Sequence, residues 1–168
     1  MTTFEMAWEE RVAALWATID DHEGEEFFAK VQALAGELPE GDARALFELA
    51  CANDSTGHSD RAAPLYRQAL AVGLTGVRRR RAVIQLSSSI RNLGQAEESV
   101  ALLTKELGEG SDQLDDAVAG FLALALADLG REREALTLAL VALAKHLPRY
   151  NRSLANYGRL LSEGQEPA

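Results

Sequence analysis

Apolar residues recur at intervals of three and four along most of the chain, the spacing that places side chains on one face of an α-helix. Glycine, proline and short polar turns interrupt this pattern repeatedly. The stretches between them predict helices at about residues 4–21, 25–38, 42–57, 59–73, 75–90, 95–107, 111–129, 132–146 and 150–162. Asp42 and Ser111 are suited to cap the helices that follow them. No stretch alternates in the manner of a strand, so the pattern predicts an all-α chain.

Four of the turn glycines have similar neighbours. They are spaced by 33, 37 and 36 residues: Gly24, Gly57, Gly94 and Gly130. A small residue follows each glycine by five positions, namely Ala29, Ala62, Ser99 and Ala135. Another precedes each by seven positions, namely Ala17, Ala50, Ser87 and Ala123. This period predicts a stack of about four helical hairpins. The ninth helix is expected to cap the apolar face of the last hairpin, through Leu154, Tyr157 and Leu161.

These positions resemble the motif of the tetratricopeptide repeat family, in its short stand-alone bacterial type. The best match is Leu46, Leu49, Ala50, Gly57, Ala62, Tyr66 and Ala69. The resemblance extends over about residues 10–148, and its first repeat is the weakest. It implies a right-handed α-solenoid of about four helix-turn-helix repeats plus a C-terminal capping helix. We therefore expect a single domain over residues 1–162, followed by a disordered tail over 163–168.

Charge is distributed unevenly along the chain. The net charge is −9, which weighs against nonspecific binding to nucleic acid. Residues 1–60 hold 14 acids and 3 bases, residues 61–105 hold 2 acids and 8 bases, and residues 106–168 hold 10 acids and 6 bases. The longest apolar stretch, residues 121–127, is too short to span a bilayer. With a single cysteine as well, the chain is expected to be cytoplasmic, without contact to nucleic acid or membrane.

The sequence offers little that could support catalysis. The three histidines lie in separate repeats, and none belongs to a metal-binding pair. No phosphate-binding loop or nucleophile motif occurs. We therefore expect no enzyme, no cofactor and no metal site. Cys51 is interpreted as a small packing residue, and a small-molecule-binding or enzymatic helical domain stays open as an alternative.

The resemblance implies a protein-interaction module that holds a peptide or protein partner in a concave groove. First helices of the hairpins line that groove in this family. The corresponding positions here are Arg44, Phe47, Cys51, Arg81, Ile84, Gln85, Ser88, Arg91, Gly120 and Leu124. Apolar contacts would anchor the partner, and Arg44, Arg81 and Arg91 would orient it. The family's carboxylate clamp is not matched, because no lysine occurs on any first helix.

Four consecutive arginines, residues 78–81, break a local rule, because cations near a helix N-terminus oppose the helix dipole. They could pair with acids of the same chain, such as Glu48, Asp54 or Glu106. Alternatively, they could recognise an acidic peptide or a second subunit. The acidic N-terminal part of one copy could meet the basic middle of another, which favours a homodimer. Its candidate contacts are Phe4, Trp8, Arg78, Arg79 and Arg80. A purely self-associating structural module is the remaining alternative.

Overall fold

The computed structural model describes residues 2–162, and every regular element within them is helical. The predicted all-α fold is therefore confirmed, whereas the predicted tail, residues 163–168, lies outside the described residues. The helices are α1 (Thr3–Trp16), α2 (Gly24–Ala35), α3 (Ala43–Ser55), α4 (Ser59–Ala71), α5 (Gly76–Asn92), α6 (Ala96–Gly108), α7 (Asp115–Asp128), α8 (Glu132–Lys145) and α9 (Asn151–Ser162). A short 3₁₀-helix, Ile19–Asp21, lies between α1 and α2.

Three of the four turn glycines end their helices in the same way. Gly57, Gly94 and Gly130 have φ angles of 84°, 81° and 71°, in the left-handed region that favours glycine. The next residue donates its backbone N–H to the carbonyl five positions earlier, for example His58 to Asn53 at 2.8 Å. This bond closes a Schellman motif, which satisfies a free carbonyl at the helix end. The glycine period therefore reflects one turn geometry, used three times.

The first hairpin departs from this pattern. Gly24 does not form a left-handed turn, because it is already the first residue of α2. The predicted first helix extends to residue 21, whereas α1 ends at Trp16 and a 3₁₀-helix follows. The small residues on either side of Gly24 also differ from those of the next repeat. Ala17 and Ala29 are exposed, while Ala50 and Ala62 are fully buried.

Helix caps agree with the sequence in one case and not in another. The Asp42 side chain accepts a hydrogen bond from the Arg44 backbone N–H at 2.8 Å and caps α3, as predicted. Ser111 does not cap α7, because that helix begins only at Asp115. Its hydroxyl donates instead to the carboxylate of Asp115, and the Asp112 side chain accepts from the Leu114 N–H.

The chain divides into two compact units, Met1–Gln85 and Leu86–Ala168, called here the N-terminal and C-terminal units. The expectation of one domain over residues 1–162 stays a prediction. In the N-terminal unit each helix from α1 to α4 packs on the next. Two clusters of buried side chains join α1, α2 and α3, one around Trp8 and Leu38 and the other around Phe27 and Ala52. Burial of these apolar side chains stabilises the unit.

In the C-terminal unit α6, α7, α8 and α9 pack consecutively. The α8–α9 contact centres on Gly158, where a Cβ atom would lie 3.2 Å from Leu140 Cβ. Thr137 Oγ1 donates a hydrogen bond to the Gly158 carbonyl at 2.8 Å. The predicted capping helix is therefore confirmed, but the predicted packing of Tyr157 is wrong, because its side chain is 59% exposed. Glycine lets the two backbones approach, and this turns Tyr157 away from α8.

Candidate functional site

Trp8, expected at an exposed dimer surface, is fully buried in the N-terminal unit. Its indole Nε1–H donates to the Leu34 carbonyl at 2.8 Å, which satisfies the polar end of the ring. The guanidinium carbons of Arg44 and Arg78 lie 5.7 and 5.8 Å from the ring centroid, within cation–π distance. The expected exposure of Trp8 is therefore wrong, because its own unit already covers the ring.

Arg44, expected to orient a groove partner, is held by carboxylates of its own unit. Its Nη2 lies 2.9 Å from Asp42 Oδ2, and its Nη1 lies 3.3 Å from Glu5 Oε1. The hydrogen bond from the Arg44 side chain holds the pKa of Asp42 below its usual value. A partner would have to compete with both carboxylates for this guanidinium.

Arg78, the first arginine of the run, is also paired inside the N-terminal unit. Its Nη1 and Nη2 donate to the two carboxylate oxygens of Glu9 at 2.9 and 2.6 Å, and its Nε donates to Glu48 Oε1 at 3.0 Å. Glu48 is buried and also accepts from Trp16 Nε1 at 2.7 Å. Burial lowers the pKa of Arg78, but the hydrogen bonds and charges of Glu9 and Glu48 outweigh this and raise it. Pairing with Glu48 was one of the two interpretations of the run.

The other arginines of the run are held differently. Arg80 is buried, so the expectation that it meets a second subunit is corrected. Arg79 is half-buried, and Arg81 is exposed. The guanidinium of Arg81 lies over the ring of Phe47, 5.2 Å from its centroid. The helix thus directs its four arginines into different surroundings, as their angular spread around the axis requires.

Three residues expected to line the groove belong to the core instead. Phe47, Cys51 and Ile84 are buried, so their expected contact with a partner is corrected. The Cys51 thiol donates a hydrogen bond to Gln85 Oε1 at 3.5 Å, and Gln85 is half-buried. Burial raises the pKa of the Cys51 thiol to about 12. This thiol therefore stays protonated at neutral pH. Because only the thiolate is a good nucleophile, Cys51 serves as a packing residue.

The first helices of the C-terminal unit present a more open surface. Gly120, Leu124 and Asp128 follow each other at intervals of four along α7 and therefore share one face. Leu124 is 48% exposed, and no described atom lies within 4 Å of a Cβ atom built at Gly120. Arg91 of α5 forms an ion pair with Asp128 at the end of this face, with 2.6 Å between Nε and Oδ2. Together with Ser88, one turn earlier on α5, these residues form what we call the α7 strip.

A second feature of the C-terminal unit was missed by the sequence analysis. A pocket of about 330 Å³ lies between α8 and α9. Its described lining residues are Val141, Ala144, Lys145, Asn151, Arg152, Ala155, Asn156 and Arg159. The sequence did contain a signal, because residues 135–162 hold four bases and no acid. The acids of residues 106–134 and 163–168 outweigh these bases in the charge balance of residues 106–168.

Another cavity of the C-terminal unit, about 470 Å³, bears on the small-molecule alternative. Val100, Leu122, Leu126 and Leu138 are among its apolar lining residues. At its edge Arg131 and Glu134 are paired with each other at 2.8 Å. Thr137 and Ser162 also line the cavity, but their hydroxyls donate to backbone carbonyls, so few polar groups are left to fix a ligand as they do in typical sites.

Neither a metal cluster nor a membrane-spanning helix occurs in the part of the chain that the structure describes. Within residues 2–162, histidine, cysteine and acidic side chains do not gather in groups of three or more that could hold a metal ion. None of the helices described there has the length and apolarity needed to cross a bilayer. His146 contacts Asp116 at 3.0 Å beside Lys145, and the hydrogen bond from Lys145 holds the pKa of Asp116 below its usual value.

Comparison with known proteins identifies the family. The family model described as Tetratrico peptide repeat matches residues 43–161, which is most of the chain. The match begins at α3 and includes α9, so it omits the first hairpin, whose turn and small residues depart from the repeat pattern. No curated protein and no solved structure matched. The repeated left-handed glycine turns, the consecutive packing of the helices and the extent of the match agree: the chain belongs to the tetratricopeptide repeat family.

Proposed function

We propose that the protein is a scaffold that binds a segment of another protein on the α7 strip of its C-terminal unit. Its family suggests a protein-interaction scaffold and is typically non-catalytic. The observation that carries the proposal is the unfilled space at Gly120, beside the half-exposed Leu124. Leu124 would supply apolar contact area to a partner. The missing side chain at Gly120 would let the partner approach the α7 backbone closely.

Glycine inside a helix needs a reason, because it destabilises the helix by roughly 0.5–1 kcal/mol relative to alanine. Gly158 of α9 has such a reason in its contact with Leu140. Gly120 of α7 has none among the described residues, where its Cβ position faces open space. A partner backbone passing over Gly120 would use that space.

The partner segment is expected to place an apolar side chain against Leu124 and polar groups near Arg91 and Ser88. A helix or an extended peptide could do so, since both modes present side chains at regular intervals to a groove. The proposal narrows the predicted groove, because Arg44 is paired with Asp42 and Arg81 lies over Phe47. The third, Arg91, is paired with Asp128 at the end of the α7 strip, so it alone of these three arginines lies beside the proposed site.

A display library of random peptides tests this proposal. Peptides selected on the parent protein would be measured again on Leu124→Glu and on Leu136→Glu. Leu136 is a matched control, because it lies on α8 of the same unit and is 47% exposed, against 48% for Leu124. We expect binding to be lost with Leu124→Glu and kept with Leu136→Glu. Peptides that survive Leu124→Glu, or that are lost equally with both changes, would reject the α7 strip.

Self-association is a second candidate, favoured by the exposed apolar residues Phe4 and Met6 on α1. Exposed ion pairs contribute only about 0–1 kcal/mol each, so apolar contact would have to supply most of the affinity. The homodimer stays a prediction, now through Phe4 and Met6 instead of Trp8. Sedimentation of the parent and of Phe4→Glu with Met6→Glu tests it. A parent that sediments as a monomer at tens of micromolar would reject the homodimer.

A further inference from the structure

We propose that the pocket between α8 and α9 docks an acidic segment of a partner protein. The site shares no residue with the α7 strip, so it stands independently of the function proposed above. An occupant rich in glutamate or aspartate is inferred from the charges of the pocket, the sequence around it and the apolar character of its floor.

The lining of the pocket is cationic. Lys145, Arg152 and Arg159 contribute positive charges, and the described lining residues include no acid. Lys145 Nζ is engaged by Asp116 Oδ1 at 2.6 Å, whereas Arg159 Nη1 donates to the neutral amide oxygen of Asn156 at 3.1 Å. The guanidinium groups can form paired hydrogen bonds with a carboxylate, which makes arginine well suited to bind one.

Spacing along α9 places the polar groups of the pocket together. Arg152, Asn156 and Arg159 are separated by four and three residues, so they lie on one helix face. Asn156 can donate from its amide nitrogen to a carboxylate while its oxygen accepts from Arg159. Val141 of α8 is among the lining residues and gives part of the pocket an apolar surface. A peptide could thus be held by both its charges and its aliphatic stems.

The local charge differs in sign from that of the whole chain. Residues 135–162 hold four bases and no acid, whereas the net charge of the protein is −9. Charges farther apart than about 8 Å are largely screened at physiological ionic strength, so an occupant of the pocket responds mainly to nearby groups. A short acidic peptide would extend little beyond the cationic patch. A nucleic acid would carry its phosphates beyond the pocket over a protein whose net charge is −9, and this disfavours it.

Exposed aromatic side chains flank this face along the chain. Tyr150 directly precedes α9 and Tyr157 follows Asn156, and both are exposed. The φ angle of Tyr150 is 67°, a left-handed conformation that is uncommon and strained for a non-glycine residue. Neither tyrosine is among the described lining residues of the pocket, so the proposal does not rest on them.

Fluorescence anisotropy with a labelled peptide of ten glutamates tests the proposal directly. We expect saturable binding that weakens with salt, and no binding of the matching peptide of ten glutamines. Changing Arg152→Glu together with Arg159→Glu should weaken binding at least about tenfold, because two attractive contacts become repulsive. The control is Arg61→Glu with Arg133→Glu, which changes the net charge equally at exposed arginines outside the pocket. It should leave affinity within about twofold.

Equal losses in the two double variants would overturn the proposal, because net charge alone would then explain binding. Tighter binding of a single-stranded oligonucleotide than of the glutamate peptide would overturn it in favour of nucleic acid. Self-association of the parent that is abolished by the pocket variant would identify a second copy as the occupant and overturn it as well. Thermal melts of all variants, and a milder Arg152→Gln with Arg159→Gln pair that should weaken binding in the same direction, separate lost binding from lost folding.

Discussion

The first helices of the two units have opposite surfaces. In the N-terminal unit Trp8 is buried beneath Arg44 and Arg78, and those arginines are paired with carboxylates of the same unit. In the C-terminal unit Gly120 and Leu124 leave α7 open. Phe47 and Cys51 lie ten and six residues before their turn glycine, as Gly120 and Leu124 do, but both are buried, so equivalent repeat positions are used differently. A groove position becomes a candidate contact only when its own unit leaves it uncovered.

The largest effect is expected from Trp8→Ala, which opens the centre of the N-terminal unit. Removing a fully buried tryptophan costs about 3–5 kcal/mol of unfolding free energy, and here the Leu34 carbonyl also loses one of its donors. Tyr157→Ala is the control, because this ring is largely exposed, and it should change stability by under about 1 kcal/mol. Urea denaturation measures both, and similar losses would contradict the burial contrast.

Two glycines inside helices of the C-terminal unit should give stability changes of intermediate size when they are replaced by alanine. Gly158→Ala places a methyl group 3.2 Å from Leu140 Cβ, so it should destabilise the α8–α9 contact by about 1–3 kcal/mol. Gly120→Ala meets open space and should stabilise the protein by up to about 1 kcal/mol. Thermal unfolding of both variants would show opposite signs. A destabilised Gly120→Ala would mean that the α7 strip is already filled.

Two buried serines should give smaller, stabilising changes. Ser87 and Ser99 are fully buried, and their hydroxyl oxygens have no hydrogen-bond partner among the described residues. The corresponding positions of the preceding repeat are Ala50 and Ala62. Ser87→Ala and Ser99→Ala should each raise stability by about 0.5–1 kcal/mol, since an unsatisfied buried polar group is removed and helix propensity improves. A loss above that size in denaturant melts would indicate that the hydroxyls are satisfied.

Acid should produce the smallest and broadest effect. Asp42 in the N-terminal unit and Asp116 in the C-terminal unit both have pKa values below their usual range, mainly through hydrogen bonds from Arg44 and Lys145. A carboxylate whose pKa is lowered by folding contributes stability above its unfolded pKa and loses it as the pH falls through the folded value. Stability measured by urea melts should therefore decline below about pH 4. Stability that rises on acidification would contradict these pairings.

The sequence predicted most of the fold because the repeat leaves a strong local signal. Gly57, Gly94 and Gly130 stand where a left-handed turn requires glycine, and the small residues beside them are buried. Gly24 has the right spacing but a different role, since spacing alone does not determine φ. Local pattern could not show which helix faces their own unit covers, so Trp8 was misplaced and Leu124 was treated like Phe47.

The sequence predicted that the arginine run could pair with acids of the same chain, but it did not identify all of these acids. The sequence named Glu48 among the acids available to the arginine run, and Arg78 does contact it. Glu9 was not named, because it lies 69 residues away and only the packing of α1 brings it to Arg78. The cationic pocket required the α8–α9 contact, which depends on the close approach at Gly158. Long-range contacts thus determine the parts of the surface on which function depends.

Thiol labelling tests the contrast between closed and open surfaces most directly. In Leu124→Cys the new thiol should react with a maleimide at the rate of an exposed cysteine. Native Cys51 in the same molecule should react at least about a hundredfold more slowly, because it is buried and its pKa is raised to about 12. Reaction of both sites at similar rates in the folded protein, or protection of position 124, would contradict the account.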